Sequence, residues 1–149
     1  HLVLGGRRLF PDYDPVARAA ELGIAGKVHY LGYVDDADLP GLYAGAELLA
    51  YPSSYEGFGL PVAEALACVC PVVTAPNTSL PEAGGEAAVY ADPADRDALA
   101  EAMLTVLEDR KERERRIELG LRHAAQFTMQ RFAQQLLDVY RRVLGGGSR

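Results

Sequence analysis

The stretch LLAYPSSYEGFGLPVAEALA, residues 48–67, predicts a β-strand, a glycine-containing loop and an α-helix in direct succession. The apolar residues at its start form a strand that ends at Pro52. Pro61 marks the start of the helix, because proline is favoured at the first helical position. Gly57 and Gly59 lie in the turn between them and allow the backbone to approach a ligand closely. In parallel α/β sheets ligands bind at the carboxyl ends of strands, which is where this loop is expected.

Short apolar strands and helical segments alternate along the chain on both sides of this stretch. Strands are predicted in HLVLGG, KVHYLGYV, CPVVTAP and AAVYADP, the first of them buried. This order is typical of βαβ units, and it predicts an α/β fold, a Rossmann-like parallel sheet with flanking helices on both faces. From Asp95, a predicted N-cap, only helices are expected, and Gly145 closes the last one. We expect one domain over residues 1–144 and a flexible tail over 145–149.

The composition favours a protein that binds small molecules over one that binds nucleic acid. The chain carries 15 basic and 21 acidic residues, a net charge of −6, without a clustered basic excess. No apolar run reaches about 18 residues, the length that a transmembrane helix needs, and no secretory leader is apparent, so we expect a cytoplasmic location. Cys68 and Cys70 are too close for an unstrained disulfide and too few for a structural zinc site, and are expected as small buried residues.

The start of the helix after Gly59 is a candidate anion site. Free backbone amides would point out of this helix end, at Gly59, Leu60, Val62 and Ala63. Together with the helix dipole, these amides suit a phosphate group.

Glu56 and Glu64 flank this anion site and repel phosphate, so they should bind other atoms of the same ligand. Ionised carboxylates accept hydrogen bonds from sugar hydroxyls. A nucleotide sugar, with a diphosphate between two polyhydroxylated rings, would satisfy every part, with Glu64 on the ribose and Glu56 on the sugar. The residues alone leave another interpretation open, in which Glu64 complements the helix dipole and Glu56 is a solvated loop acid.

YPSSYEGFGLPVAEALA, followed by PVV and SLPE, resembles the C-terminal nucleotide-sugar-binding domain of the retaining GT-B glycosyltransferases of the GT4 family. Two glutamates eight positions apart are the signature of that family. The segments VHYLGYVDDADLPGLYAGAELLAYPS, VYADPADRDALAEAM and FTMQRFAQQLLDVYRRVL match it as well, so the resemblance covers nearly the whole chain. It implies an enzyme that transfers a hexose from a nucleotide-diphosphate sugar to an acceptor, with no metal or other cofactor.

The resemblance also implies roles for individual residues. Glu64 would bind the ribose hydroxyls, and Glu56, the implied catalytic residue, would contact the donor sugar near the reaction centre. Four consecutive loop amides would bind the sugar and the distal phosphate: Gly57, Phe58, Gly59 and Leu60. Two residues after the YLG strand would border the base: Tyr33 and Val34.

Two features depart from the family pattern. Val69 occupies the place of a glycine after the helix and cannot easily adopt a positive φ, so we expect a local change at that helix end. The family's first strand and helix, whose arginine and lysine neutralise the diphosphate, are apparently lacking. Arg7 and Arg8 do not occupy the positions of that pair and are expected as solvated loop residues.

The N-terminal acceptor domain of the family is also missing from the sequence. We therefore expect that this part alone is inactive in transfer, and that any peripheral membrane association arises only through the absent domain. In the family's strand order the missing strand separates HLVL from LLAYP, so these two should not pair directly.

Two other functions remain possible from the sequence. A non-catalytic nucleotide-sugar-binding module would carry the same loop. A glycoside hydrolase would use Glu56 and Glu64 as its two carboxylates, although it has no phosphate to bind at a helix start. Among the neighbouring residues, Thr78 and Ser79 are expected to cap a short helix.

Overall fold

The computed structural model describes residues 1–7 and 13–145. These residues form two compact units that divide between Leu39 and Pro40. Arg8 and the predicted tail from residue 146 onward lie outside the described residues. Gly145, the first residue of that predicted tail, is the last residue of the final helix.

The first unit contains two parallel strands and one helix, β1 (Leu2–Gly5), α1 (Pro15–Glu21) and β2 (Val28–Gly32), with a 3₁₀ turn at Ala25–Lys27. Asp14 starts α1, because its side chain accepts hydrogen bonds from the Val16 and Ala17 amides. The prediction that the first strand is buried is wrong for this unit, since Leu2 and Val3 are each 50% exposed.

The second unit carries a parallel sheet in the order β3 (Leu49–Tyr51), β4 (Val72–Thr74), β5 (Val89–Tyr90). Its helices are α2 (Leu39–Gly45), which begins at the boundary, α3 (Leu60–Ala67), α4 (Leu80–Gly84), α5 (Arg96–Glu108), α6 (Arg110–Ala124) and α7 (Met129–Gly145). The predicted α/β class with parallel strands is thus confirmed, in two separate sheets. Within the described residues β1 pairs with β2 and not with β3, as expected for HLVL and LLAYP.

The core of the second unit lies around its central strand. Val72 and Val73 of β4 are fully buried, and Val72 belongs to the same apolar cluster as Leu66 of α3. Helix α6 reaches α3 at Gly120, where a Cβ would lie only 2.9 Å from the Leu66 side chain. Burial of side chains of this size stabilises the fold by about 1.5–3 kcal/mol each. The loop before α3 is therefore attached to the apolar core of the second unit.

The C-terminal end of α3 corrects the prediction for Val69. Val69 adopts a left-handed conformation with φ of +58°, and the Cys70 amide donates to the Ala65 carbonyl oxygen at 3.0 Å. This is the pattern with which a glycine usually closes a helix. The helix end is therefore not changed, and the valine carries the backbone strain instead.

The expectation of small buried cysteines is confirmed for Cys70, whereas Cys68 is only partly buried. Both are free thiols, and Cys70 is buried. Burial raises the pKa of the Cys70 thiol to about 11. Within the described residues, none of the helices combines the length and the apolar character that crossing a bilayer requires.

Candidate functional site

The loop between β3 and α3 depends on Gly59 for its shape. Gly59 is the N-cap of α3 and has a left-handed backbone with φ of +94°, a conformation that side chains disfavour. A Cβ at this position would lie 2.7 Å from Leu80 Cδ2 and 3.5 Å from Ala83 Cβ. Gly57 differs, because a Cβ there would meet nothing within 4 Å. The fold therefore requires a glycine at position 59 but gives no internal reason for the one at position 57.

The amides at the start of α3 only partly match the anion site predicted from the residues. The helix begins at Leu60, one residue before Pro61. The Val62 and Ala63 amides both donate to the Gly59 carbonyl oxygen, at 3.0 and 3.4 Å. The prediction that they are free is wrong, because the turn at the N-cap already satisfies them. Within the described residues no hydrogen bond is made by the amides of Gly57, Phe58, Gly59 and Leu60.

Glu56 is fixed by three hydrogen bonds from outside its own loop. Its amide donates to Thr78 Oγ1 at 3.1 Å, and the Ser79 hydroxyl donates to its carbonyl oxygen at 3.0 Å. Its carboxylate Oε1 accepts from the Tyr51 hydroxyl at 2.6 Å. The backbone and the side chain of Glu56 are therefore both oriented by neighbours.

Thr78 and Ser79 thus act differently from the predicted helix caps. Ser79 is the N-cap of α4, but its side chain makes no capping hydrogen bond there and binds Glu56 instead. Thr78 has a φ of +51°, which is unusual for a β-branched residue. Such strain persists only where the surroundings impose it, and it is common at binding sites.

Glu64 lies on the exposed side of α3 and also accepts a hydrogen bond from a tyrosine. The Tyr43 hydroxyl of α2 donates to Glu64 Oε2 at 3.2 Å. Burial raises the pKa of Tyr43 to about 12, and the neighbouring Glu64 carboxylate acts in the same direction. Burial and the hydrogen bond to Glu56 likewise raise the pKa of Tyr51. Both tyrosines therefore remain protonated donors at neutral pH.

Phe58 is anchored by aromatic contacts. It lies edge-on to Phe127, with ring centroids 5.3 Å apart, and Phe127 lies edge-on to His123 at 5.2 Å. His123 Nε2 lies 2.9 Å from the Glu82 carbonyl oxygen, which can only accept, so this nitrogen carries the proton. Its Nδ1 then accepts from Gln126 at 2.8 Å. This chain of contacts links the loop to α4 and α6.

Tyr33 and Val34 follow β2 in the first unit, whereas the loop and both glutamates lie in the second. Tyr33 is 62% exposed, and the Arg7 guanidinium lies 5.5 Å from the centre of its ring. Val34 Cγ2 lies 3.5 Å from the position of a Cβ on Gly5. Their role beside a base remains a prediction.

Two cavities of the second unit lie away from the loop. One, of about 430 Å³, is lined by Glu86, Leu119, Arg122 and His123 among others. The other, of about 480 Å³, lies beside residues 92–97. Arg122 already pairs with Glu118 at 2.8 Å, and neither cavity includes Glu56 or Glu64. The loop before α3 and the first turns of α3 remain the better candidate, because both oriented carboxylates and the unbonded amides belong to this one segment.

Sequence reasoning missed the groups that orient the two glutamates. Tyr51 could have been found, since it ends a strand directly before the loop. Tyr43, Thr78 and Ser79 are more than 20 positions from the glutamates that they bind, and no local pattern links them.

The family described as glycosyl transferases group 1 matches residues 12–123 of the chain. Among curated relatives, the O-antigen chain mannosyltransferase B of Escherichia coli is 45% identical over 141 residues, covering 94% of this chain and 37% of the relative. The MMP alpha-(1->4)-mannosyltransferase of Mycolicibacterium hassiacum is 38% identical over 141 residues, covering 92% and 34%. The chain thus spans little more than a third of the length of these relatives.

Solved structures agree with these sequence relatives. Anabaena HepE in complex with UDP and glucose is 28% identical with a TM-score of 0.80, covering 93% of this chain and 39% of HepE. The sucrose-phosphate synthase of Thermosynechococcus elongatus is 27% identical with a TM-score of 0.80, covering 98% and 39%. The likeness shows the GT-B type of α/β fold that was expected from the sequence.

Proposed function

The chain belongs to the group 1 glycosyl transferase family, and we propose that it is the donor-binding half of a retaining glycosyltransferase of the GT4 type. The full enzyme would move a hexose from a nucleotide-diphosphate sugar to an acceptor. The observation that carries the proposal is the pair of oriented carboxylates, Glu56 and Glu64, on either side of the unbonded amides at the start of α3.

The unbonded amides form the part of the site that binds the diphosphate. Four consecutive residues carry them, from Gly57 to Leu60, and the positive end of the α3 dipole lies at the same place. Negative charge grows on the leaving diphosphate as the bond to the sugar breaks. Donors already in place for that charge lower the barrier by several kcal/mol in typical enzymes, roughly 3–4 per donor.

The two carboxylates bind the two rings of the donor. Glu64 binds the ribose hydroxyls and Glu56 binds the sugar near the reacting carbon. Each has one oxygen bonded to a tyrosine, so its other oxygen can accept from a hydroxyl of the ligand. HepE, which is similar to this chain, was solved with UDP-glucose, and this supports a nucleotide sugar as the ligand class.

The remaining parts of the reaction would come from outside this chain. The chain covers 37% of its Escherichia coli relative, and we assign acceptor binding, and any membrane association, to an N-terminal acceptor domain. On this proposal residues 1–149 bind the donor but transfer no sugar alone, and the site needs no metal. The free thiols of Cys68 and Cys70 accord with the reducing cytoplasm as its location.

Calorimetry tests the proposal directly. UDP, GDP and ADP are titrated into the chain, followed by UDP-glucose and GDP-mannose as donor probes. Glu64→Ala should weaken binding of the preferred diphosphate by about 1.5–3 kcal/mol, the range for a hydrogen bond to a charged group. Glu101→Ala, which removes an exposed glutamate of α5, is the matched control and should bind normally.

Two results would contradict the proposal. If no nucleoside diphosphate binds the wild-type chain, the donor site itself is wrong. If Glu64→Ala binds as tightly as the control while its circular dichroism is unchanged, the ribose assignment fails. Release of sugar from a simple glycoside, without any nucleotide, would instead favour the hydrolase interpretation.

A further inference from the structure

We propose that Tyr51 and Tyr43 are positioning residues of the donor site. Tyr51 orients Glu56 toward the sugar, and Tyr43 orients Glu64 toward the ribose. This inference rests on the proposed function and deepens it. Neither tyrosine belongs to the two-glutamate signature, and each donates its hydroxyl to one of the two carboxylates.

Tyr51 is built to present its hydroxyl at one fixed point. It is the last residue of β3, paired in register with Thr74 of the fully buried strand β4. The Thr74 hydroxyl donates to the Tyr51 carbonyl oxygen at 2.8 Å, and the Tyr51 ring packs against the apolar core. The Tyr51 hydroxyl is held rigidly at 2.6 Å from Glu56 Oε1, and it therefore makes a strong, charge-assisted hydrogen bond.

The consequence for Glu56 is a single orientation. Thr78 and Ser79 fix its backbone, and Tyr51 fixes Oε1. Within the described residues Oε2 has no partner, so it is the oxygen left for the sugar. Small errors in the position of a group near the reacting atoms reduce the rate of chemistry more than they reduce binding.

Tyr43 orients Glu64 more loosely. The backbone of Glu64 is already fixed in α3, and the hydrogen bond is longer, at 3.2 Å. The Tyr43 ring packs against the same core, so phenylalanine would retain the packing and remove only the hydroxyl. We expect the ribose contact to be equally strong in the ground state and in the transition state, so losing this hydroxyl should weaken donor binding without slowing chemistry.

The test is a comparison of Tyr→Phe variants in the full transferase, by release of UDP from UDP-glucose or of GDP from GDP-mannose. Tyr51→Phe should lower kcat by about 10-fold or more, the effect of a lost charge-assisted hydrogen bond, with the donor KM within about 2-fold. Tyr43→Phe should raise the donor KM by about 3- to 10-fold with kcat unchanged.

Tyr90→Phe is the matched control. It removes another half-buried hydroxyl from a ring on the same core, one that donates to the Gly85 carbonyl oxygen at 2.7 Å. Its kcat and donor KM should match the wild type. A loss of kcat in Tyr90→Phe equal to that in Tyr51→Phe would show a general packing effect and overturn the proposal.

A double variant separates this inference from the proposed function. In a Glu56→Gln background, Tyr51→Phe should cause much less further loss, because its effect passes through the carboxylate. An undiminished effect there, or a wild-type kcat in Tyr51→Phe alone, would overturn the positioning role while Glu56 keeps its own. If Glu56→Gln and Glu64→Ala leave turnover and donor binding unchanged, the proposed function fails as well.

Discussion

Replacing each of the two loop glycines by alanine separates the fold of the loop from its ligand. In Gly59→Ala the new Cβ would lie 2.7 Å from Leu80 Cδ2, and Leu80 is fully buried. Overpacking of a core costs about 1–3 kcal/mol, and a left-handed residue with a side chain adds about 1–2 kcal/mol. We expect Gly59→Ala to lower the free energy of unfolding by about 2–5 kcal/mol in urea denaturation.

Gly57→Ala should leave the stability of the fold unchanged and weaken ligand binding instead. Its Cβ meets no protein atom within 4 Å, so the free energy of unfolding should change by less than about 0.5 kcal/mol. The methyl group would instead occupy the space where the backbone approaches a phosphate or sugar, and we expect about 10-fold weaker donor binding in calorimetry. Wild-type affinity in Gly57→Ala would refute the argument that this glycine serves the ligand. Wild-type stability in Gly59→Ala would refute the loop geometry.

Two further predictions concern α3 and Glu56. Val69→Gly should raise the free energy of unfolding by about 0.5–1.5 kcal/mol in urea denaturation, because φ of +58° is strained for valine and the side chain is 44% exposed. Val69→Ala is the control, since it keeps the strain and should show no comparable gain. Glu56→Gln in the full transferase should lower kcat more than it raises the donor KM, and a rise in KM with unchanged kcat would mean that Glu56 has no role in the transition state.

The fold was predictable where its signals are local. Pro52, Gly59 and Pro61 lie within ten positions of one another, and they set the end of β3, the turn and the start of α3. Each acts through its own backbone conformation, which needs no knowledge of distant residues. The same local rule failed at Val69, where the helix keeps a glycine-like end with a valine in the left-handed position.

The sequence predicts only the glutamates and the loop of the candidate site. The groups that orient the glutamates come from other elements, and their positions depend on how α2, β3 and α4 pack around α3. Glu56 and Thr78 are separated by 22 positions, and Tyr43 and Glu64 by 21. A hydroxyl at such a distance in sequence carries no periodic signal, whereas the tertiary fold brings it within hydrogen-bonding distance.

The choice of tyrosine as the partner of both glutamates has a physical reason. Among the described residues no lysine or arginine pairs with Glu56 or Glu64. An arginine would bind both oxygens of a carboxylate at once and neutralise its charge, and it would leave only one acceptor site on each oxygen for a ligand hydroxyl. A tyrosine hydroxyl binds one oxygen, and burial raises the pKa of Tyr43 to about 12, so it stays a donor. A neutral tyrosine hydroxyl can therefore orient each carboxylate while leaving its charge and its other oxygen available to a ligand.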